Sequence, residues 1–383
     1  MSVELSREEA RRFLVRHHGL DRPERSHGRR GIRRMLASLR CIQLDPLDAI
    51  GTNADLVAFA RVDGCRKGDV YDALLPGHAF EHFAKERCLL PAEAYPQYRS
   101  RAVETPWWRL TERSRRVPES VLDAVLAELS EIGPATSAAL TDHGAVQALD
   151  WSGWKGTGRM TTMALEILWT RCEVVVAGRT PGGAKIYDLP ARALPDHHDA
   201  PTALPFHEWA LLERVDAAGL MTTATGPIWG MLREVRDTLP RRLIEEGALV
   251  EVTVEGSRRT YLARPTVTRA SRRSQDDRMR ILGPLDPLLW DRKLVEQVFG
   301  FEYVWEVYKP AAERRWGWYV CPLLHRGRLV GRLEARVNGD RLEAQRLWRQ
   351  EGEAFDDEAF EAALARHASC LELSSTSRSR RAR

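Results

Sequence analysis

Residues 118–190 and 206–263 follow one plan twice: short helical segments, then a strand, a glycine turn and a second strand. In the first copy, VPESVLDAVLAELSEIG places Val121, Leu122, Val125, Leu126, Leu129 and Ile132 at helical spacing, and Gly133-Pro134 stops the helix. ATSAALTDHG reads as a short second helix ending at Gly144. RMTTMALEILWTRCE reads as a third, with Met163, Ile167 and Leu168 on one side. VVVAGRTPGGAKIYDL then reads as a hairpin, Val174–Ala177 and Ala184–Leu189, turning through Pro181-Gly182-Gly183. In the second copy, FHEWALLERVDAAG is a helix ended by Gly219. TTATGPIWG is a short connection or helix, and MLREVRDTLPRRLIEEG is helical with a break at Pro240. LVEVTVEGSRRTYLA closes it as a hairpin turning near Glu255-Gly256-Ser257. Three short helices followed by a hairpin is the pattern of a winged helix, and its recurrence predicts an internal structural repeat.

The first hundred residues read as a divergent copy. SREEARRFLVRHHG is a helix with Ser6 as its cap, and HGRRGIRRMLASLR is a second. CIQLDP is a short strand closed by Pro46; GDVYDALLPG and HAFEHFAKERCLLP follow as helix and loop. The C-terminal portion differs. FEYVWEVY, GWYVCPLLH, RLVGRLEARV and RLEAQRLWRQ are strand-like runs, with turns at Arg326-Gly327 and Asn338-Gly339, and FDDEAFEAALARHA is a last helix. The expected fold is therefore α+β: three tandem winged-helix units at 1–117, 118–200 and 201–270, then an antiparallel β-barrel-like domain at 271–383 with a basic tail.

A chain of 383 residues with 43% hydrophobic and 29% charged residues has enough apolar material for a real core, which excludes disorder for most of its length. No window approaches 18 uninterrupted apolar residues, and Glu4, Glu8 and Glu9 stand where a signal peptide needs a cationic and then apolar run. A cytoplasmic monomer with no membrane contact is expected. The six cysteines (41, 65, 88, 172, 321 and 370) form no C-x-x-C pair, so neither a zinc site nor a disulfide framework is indicated. His17-His18 and His197-His198 are sequence neighbours that face apart on a helix. His78 and His82 are four apart and would share a face if helical, but have no third ligand at readable spacing. No metal and no cofactor are expected. The phosphate-loop, dinucleotide and nucleophile-elbow motifs are absent, so the chemistries they announce have no signature here.

The net charge of +4 says less than its distribution. Residues 258–280 hold eight arginines against two acids, and the last ten residues hold four arginines and no acid. A localised basic face follows, although solvated surface arginine fits the same counts. The candidate phosphate contacts are Arg258, Arg259, Arg272 and Arg273, with His325, Arg326 and Arg328 at the Arg326-Gly327 turn.

In Ile42-Gln43-Leu44-Asp45, a strand would send Ile42 and Leu44 to the core and let Gln43 and Asp45 emerge together on the other face. An amide and a carboxylate so placed can hold a water molecule and draw off its proton. A solvent-facing edge strand would show the same alternation.

The blocks GPLDPLLWDRKLVEQVFGFEYVWEVYKPAAERRWGWYVCPLLHRGRLVGRLEAR, FEHFAKERCLLPAEAYPQYRSRA and GRTPGGAKIYDLPARALP resemble the winged-helix DNA glycosylases of the AlkZ and AlkX (YcaQ-like) type. The resemblance spans nearly the whole chain. It implies three tandem winged-helix units, a C-terminal β-barrel and hydrolysis of the N-glycosidic bond of alkylated purines, with unhooking of DNA interstrand crosslinks. That family's catalytic motif is Gln-x-Gln or Gln-x-Asp, so Gln43-Leu44-Asp45 matches the second form and makes Gln43 and Asp45 the catalytic candidates. Relatives carry a His where this chain has Lys85, which becomes a possible accessory residue. The implied partner is double-stranded DNA with alkylated or crosslinked purines. Winged helices taken alone also fit a non-catalytic DNA-binding protein or transcription regulator.

Overall fold

The computed structural model describes residues 2–21, 27–101, 108–147, 156–268 and 276–379. In it the opening strand, Ser2–Leu5, runs parallel to Val250–Val254, 245 residues or more further along. Val3 and Leu5 face the core of that sheet, and Ser2 and Glu4 face out. The chain forms two compact units by its internal contacts, Met1–Val70, Ala84–Cys88 and His207–Arg383 on the one hand, Tyr71–Phe83 and Leu89–Phe206 on the other.

In the first unit, Val250–Val254 and Thr260–Ala263 form the expected antiparallel hairpin, with Met221–Thr222 on its far edge. The helix Arg7–His17 starts at Ser6, whose hydroxyl accepts from the Glu9 N–H while the Glu9 carboxylate accepts from the Ser6 N–H, a full capping box. Its Ala10, Leu14 and Val15 join Val252, Tyr261, Leu294 and Phe299 in one apolar cluster. Burial of each leucine-sized side chain there contributes roughly 1.5–3 kcal/mol.

A second sheet of the same unit orders Arg280–Ile281, Val320–His325, Arg328–Asn338 and Arg341–Arg349 as an antiparallel meander, with Ser375–Arg378 added in parallel. Arg326 and Gly327 turn between two of these strands with φ of 47° and 72°, the positive-φ pair that suits a tight hairpin. The helix Asp357–Cys370, capped by Asp356, lays Phe360, Ala363, Leu364 and Ala368 on the sheet. The first of the four runs expected to be strands, FEYVWEVY, is not one. Phe301 and Tyr303 alternate into the core, but the backbone meets no ladder. Tyr303 Oη instead donates to the Val320 carbonyl (2.6 Å), and Glu306 accepts the Trp316 N–H (2.7 Å).

In the second unit, the helices Glu119–Ile132 and Met160–Thr170 and the hairpin Val175–Arg179 and Lys185–Asp188 stand where the periodicity put them. The short helix expected over ATSAALTDHG is reduced to one 3-10 turn, Ser137–Ala139. Ala135–Thr136 is drawn out as a third strand against Ile186 and Tyr187, and the Glu128 carboxylate takes the Thr141 N–H. Ala145–Gln147 and Thr157–Arg159 pair as a ribbon that periodicity did not announce. The loop expected over HAFEHFAKERCLLP contains two strands, Ala79–Phe83 and Arg87–Pro91. His78 and His82 therefore share no helical face; His82 is buried with Nε2 at the Thr170 carbonyl (3.2 Å).

Candidate active site

The helix Gly28–Leu39 ends at Arg40, whose left-handed φ of 62° turns the chain into the short strand Ile42–Gln43. Arg40 is held there by two 2.8 Å hydrogen bonds to the Glu213 carboxylate. Ile42 is fully buried, and Leu44 extends the pairing by one N–H, donated to the Arg87 carbonyl at 2.8 Å. The strand goes no further because Pro46 has no N–H and Asp45 Oδ1 takes the Leu47 N–H (2.9 Å). The four-residue strand with Gln43 and Asp45 on one outward face is thus not formed. Gln43 is 8% exposed, and Asp45, in the turn after the strand, is half-buried.

The carbonyl of Gln43 accepts from Asn53 Nδ2 at 2.8 Å. Asn53 opens the helix Asn53–Phe59, whose cap is a reciprocal Thr52 and Asp55 box, and its Oδ1 accepts the Leu285 N–H at 3.3 Å. At the other end of the side chain, Lys85 Nζ donates to Gln43 Oε1 at 3.0 Å. With Oε1 occupied, the Gln43 Nε2–H₂ group is the one left to donate. The Lys85 ammonium also lies 5.4 Å from the centre of the Trp290 ring, whose Nε1–H donates to the Leu285 carbonyl (3.1 Å). Burial lowers the Lys85 pKa, with the neighbouring Arg292 charge acting in the same direction.

Asp45 carries the opposite kind of shift. Burial raises its pKa, and the Leu47 N–H only partly offsets this. Burial is the main cause that raises the hydroxyl pKa of Tyr308 and of Tyr319, and the Asp45 charge adds to it in both, which places both rings within its electrostatic reach. Tyr308 is 82% exposed and meets Trp305 edge to face. Asn53 escaped the sequence reading, and Trp290 and Tyr308 entered it only within the block that carries the resemblance, since none shows a spacing relative to Gln43 that chemistry could recognise.

The basic candidates take several positions. Arg258 is exposed on the hairpin turn. Arg259 is committed to Asp291 Oδ1 and Thr222 Oγ1, both at 2.8 Å. His325 is buried, with Nε2 at the Asp277 carbonyl (2.8 Å), and so holds a loop rather than facing outward. Arg326 and Arg328 are exposed and pair with Asp277 and Glu353. Arg272 and Arg273 lie outside the described residues. Among the described residues no cluster of three His, Cys, Asp or Glu side chains is arranged to hold a metal ion, and no helix is long and apolar enough to cross a membrane.

The sequence model of the AlkZ-like DNA glycosylases matches residues 36–370, which takes in the Gln43–Asp45 turn, Lys85 and the C-terminal sheet. The chain belongs to the AlkZ-like DNA glycosylase family. The AlkZ-like enzyme is a DNA N-glycosylase, a repair enzyme whose substrate is DNA. Its structure is similar to the DNA glycosylase AlkZ of Streptomyces sahachiroi, with a TM-score of 0.61 at 18% identity, covering 98% of this chain and 100% of that one. At that identity the likeness establishes a shared mixed α+β fold.

Proposed function

We propose that this glycosylase hydrolyses the N-glycosidic bond of N7-alkylated purines in duplex DNA, including purines joined in interstrand crosslinks, and that Gln43 and Asp45 carry the reaction as a Gln-x-Asp pair. The observation that carries this reading is the state of the two side chains. Gln43 is anchored at its carbonyl by Asn53 and at Oε1 by Lys85, while Asp45 is tied through Oδ1 only. One amide N–H₂ group and one carboxylate oxygen are left for the reaction.

A guanine alkylated at N7 is cationic and already a good leaving group, so protonating it is hardly needed. What remains is to stabilise oxocarbenium-like charge on the sugar and to deliver water to C1′. The Asp45 carboxylate serves both needs, by its charge and as general base, and its raised pKa makes it the stronger base. Gln43 orients the water. Lys85 acts as a positioning residue through Gln43 and not as a nucleophile. A single carboxylate distinguishes this chemistry from sugar hydrolysis, which uses a second carboxyl as acid.

The layout 1–117, 118–200 and 201–270 is read as three winged-helix units, with 271–383 as the sheet domain, giving a cradle for the phosphate backbone. Arg258, Arg326 and Arg328 are its exposed described candidates. Asp45→Asn tests the reading. Cleavage of an N7-methylguanine duplex should fall by about 10²–10⁴-fold, the worth of a positioned general base, while folding and DNA affinity stay near wild type. Wild-type cleavage by Asp45→Asn removes Asp45 from the mechanism.

A further inference from the structure

Among the described residues no large hydrophobic side chain is as exposed as Tyr308, at 82% against 53% for the next, Ile132. Nor does the ring sit on a loose loop. The Lys309 N–H donates to the Glu306 carbonyl (2.9 Å), which makes Tyr308 the third residue of a tight turn. The buried Glu306 carboxylate fastens that turn by accepting from Lys309 Nζ (2.8 Å), the Arg315 N–H (3.2 Å) and the Trp316 N–H (2.7 Å). Pro310 follows and fixes the exit of the chain. A tyrosine held this way offers a large contact area with few rotamers left to lose.

Other aromatic side chains back the ring. Trp305 meets Tyr308 edge to face at 5.8 Å and Tyr319 at 6.2 Å, and Tyr319 in turn meets the exposed Trp318 at 6.0 Å. Trp305 packs against the same apolar cluster as Leu47, whose N–H donates to Asp45 Oδ1 (2.9 Å). One packed cluster thus carries both the turn that presents Tyr308 and the turn that holds Asp45. Burial raises the pKa of the Tyr308 and Tyr319 hydroxyls, and the Asp45 charge adds to the rise in both.

The setting selects the occupant. The enzyme's substrate is DNA, and Arg314, whose Nε donates to the Lys309 carbonyl at 2.8 Å, adds a guanidinium to the same turn. A cation beside an aromatic ring suits a phosphate backbone beside a base. Every nucleobase has a π-face, but in an intact duplex both faces are covered by neighbouring pairs. A side chain stacks there only where a base step is opened, and opening costs least at a damaged base. We propose that Tyr308 enters the base stack at the lesion and stacks on the base face exposed there, which holds the opened step against the Gln43–Asp45 turn. The proposal rests on the placing of the reaction at that turn and adds a substrate contact to it. Stacking needs the ring and not the hydroxyl.

Binding is read with the full-length protein on a duplex whose 7-methylguanine sits on a 2′-fluoro sugar, where the fluorine disfavours oxocarbenium charge and slows hydrolysis, and on the same duplex undamaged. Cleavage is read in a single turnover on the N7-methylguanine duplex. Tyr308→Ala should weaken binding of the damaged duplex by about tenfold or more, the worth of one stacked base, and slow cleavage at subsaturating enzyme alike. On the undamaged duplex the loss should stay within about twofold, because its steps remain closed. Tyr308→Phe and Tyr308→Trp should recover most of the loss, and the dependence of affinity on salt should keep its slope, since no charge is removed. An exposed position lets the alanine variant fold as wild type does, which thermal unfolding checks. Unchanged binding of the damaged duplex, equal loss on both duplexes, or a loss in Tyr308→Phe as large as in Tyr308→Ala overturns the proposal. Asp45→Asn separates it from the catalytic reading. If that variant cleaves as wild type while Tyr308→Ala still loses the damaged duplex selectively, the stacking stands and Asp45 leaves the mechanism; if Asp45→Asn is inactive while Tyr308→Ala binds as wild type, the stacking falls and the catalytic reading stands.

Discussion

Gly283 lies so close to Asn53 that a Cβ at Gly283 would stand 2.7 Å from Asn53 Oδ1 and 3.1 Å from Leu56 Cβ. Asn53 holds the carbonyl of Gln43, so the backbone at 283 reaches the Gln43–Asp45 turn through one side chain. Gly283→Ala should displace Asn53 and loosen Gln43. The expected outcome is a loss of about 1–3 kcal/mol in denaturant unfolding, typical of an overpacked site, together with a lower kcat on alkylated duplex. Wild-type stability and turnover in Gly283→Ala would show that the contact carries no such load.

Asp45 should set an acid limb in the pH profile. Its folded pKa is raised, so the carboxylate is lost on acidification above the ordinary aspartate range of about 3.9. Turnover should fall as pH falls through that raised value, and Asp45→Asn should lack the limb. The sign for stability is opposite to that of a paired aspartate. The folded state holds the proton more tightly than the unfolded chain, so Asp45 lowers stability once pH exceeds the unfolded pKa, and acid relieves this. Asp45→Asn should therefore be no less stable than wild type at pH 7 by thermal unfolding.

Arg61 and Asp286 form a buried bidentate pair, with NH1 to Oδ2 at 2.7 Å and NH2 to Oδ1 at 2.9 Å and almost no side-chain exposure on either partner. Arg61 also donates to the carbonyls of His18 and Val57, so it ties three segments together. Asp286→Ala should cost about 3–5 kcal/mol, because it leaves a guanidinium buried without its counter-charge. Arg61→Met with Asp286→Leu should recover much of that loss. A double variant as unstable as Asp286→Ala would place the penalty in packing rather than in charge.

Lys85 is the side chain through which a different mechanism would run. Its pKa is lowered by burial, which is the condition for an amine to attack C1′ as a Schiff-base nucleophile. Its bond to Gln43 Oε1 assigns it instead to holding the amide. Borohydride reduction during cleavage of an N7-methylguanine duplex should trap no protein–DNA band, and Lys85→Met should lower kcat. A trapped band that vanishes in the lysine variant would overturn water attack. Uracil in DNA should stay uncut, since the proposed Gln43 and Asp45 pair holds a single carboxylate and no acid dedicated to a neutral leaving base, and efficient uracil release would overturn the charge argument.

Local rules carried a large share of the fold. The helix Glu119–Ile132, the helix Met160–Thr170 and the hairpin of Val175–Arg179 with Lys185–Asp188 follow from apolar spacing and turn residues within twenty residues of each other. The Arg326-Gly327 turn and the Ser6 cap are equally local. The same rules misread 301–308, where alternation into a core was mistaken for membership of a sheet. They also misread 135–144, where a strand partner 50 residues away drew the chain out of a helix.

The sequence by itself determined the Gln43-Leu44-Asp45 motif, the mixed α+β class and the family, because motif order and short-range periodicity are properties of the linear chain. Only the tertiary structure decided that Ser2–Leu5 pairs with Val250–Val254, that Lys85 bonds Gln43, that Asn53, packed against Gly283, holds the Gln43 carbonyl, and that His325 turns inward. The physical reason is common to all of these. A residue's preferred φ and ψ and its polar or apolar face are set by its near neighbours, whereas a free strand edge or an unbonded side-chain oxygen accepts any donor that the folded chain brings within 3 Å or so. Which donor arrives depends on how distant segments pack, and the one-dimensional pattern holds no record of that.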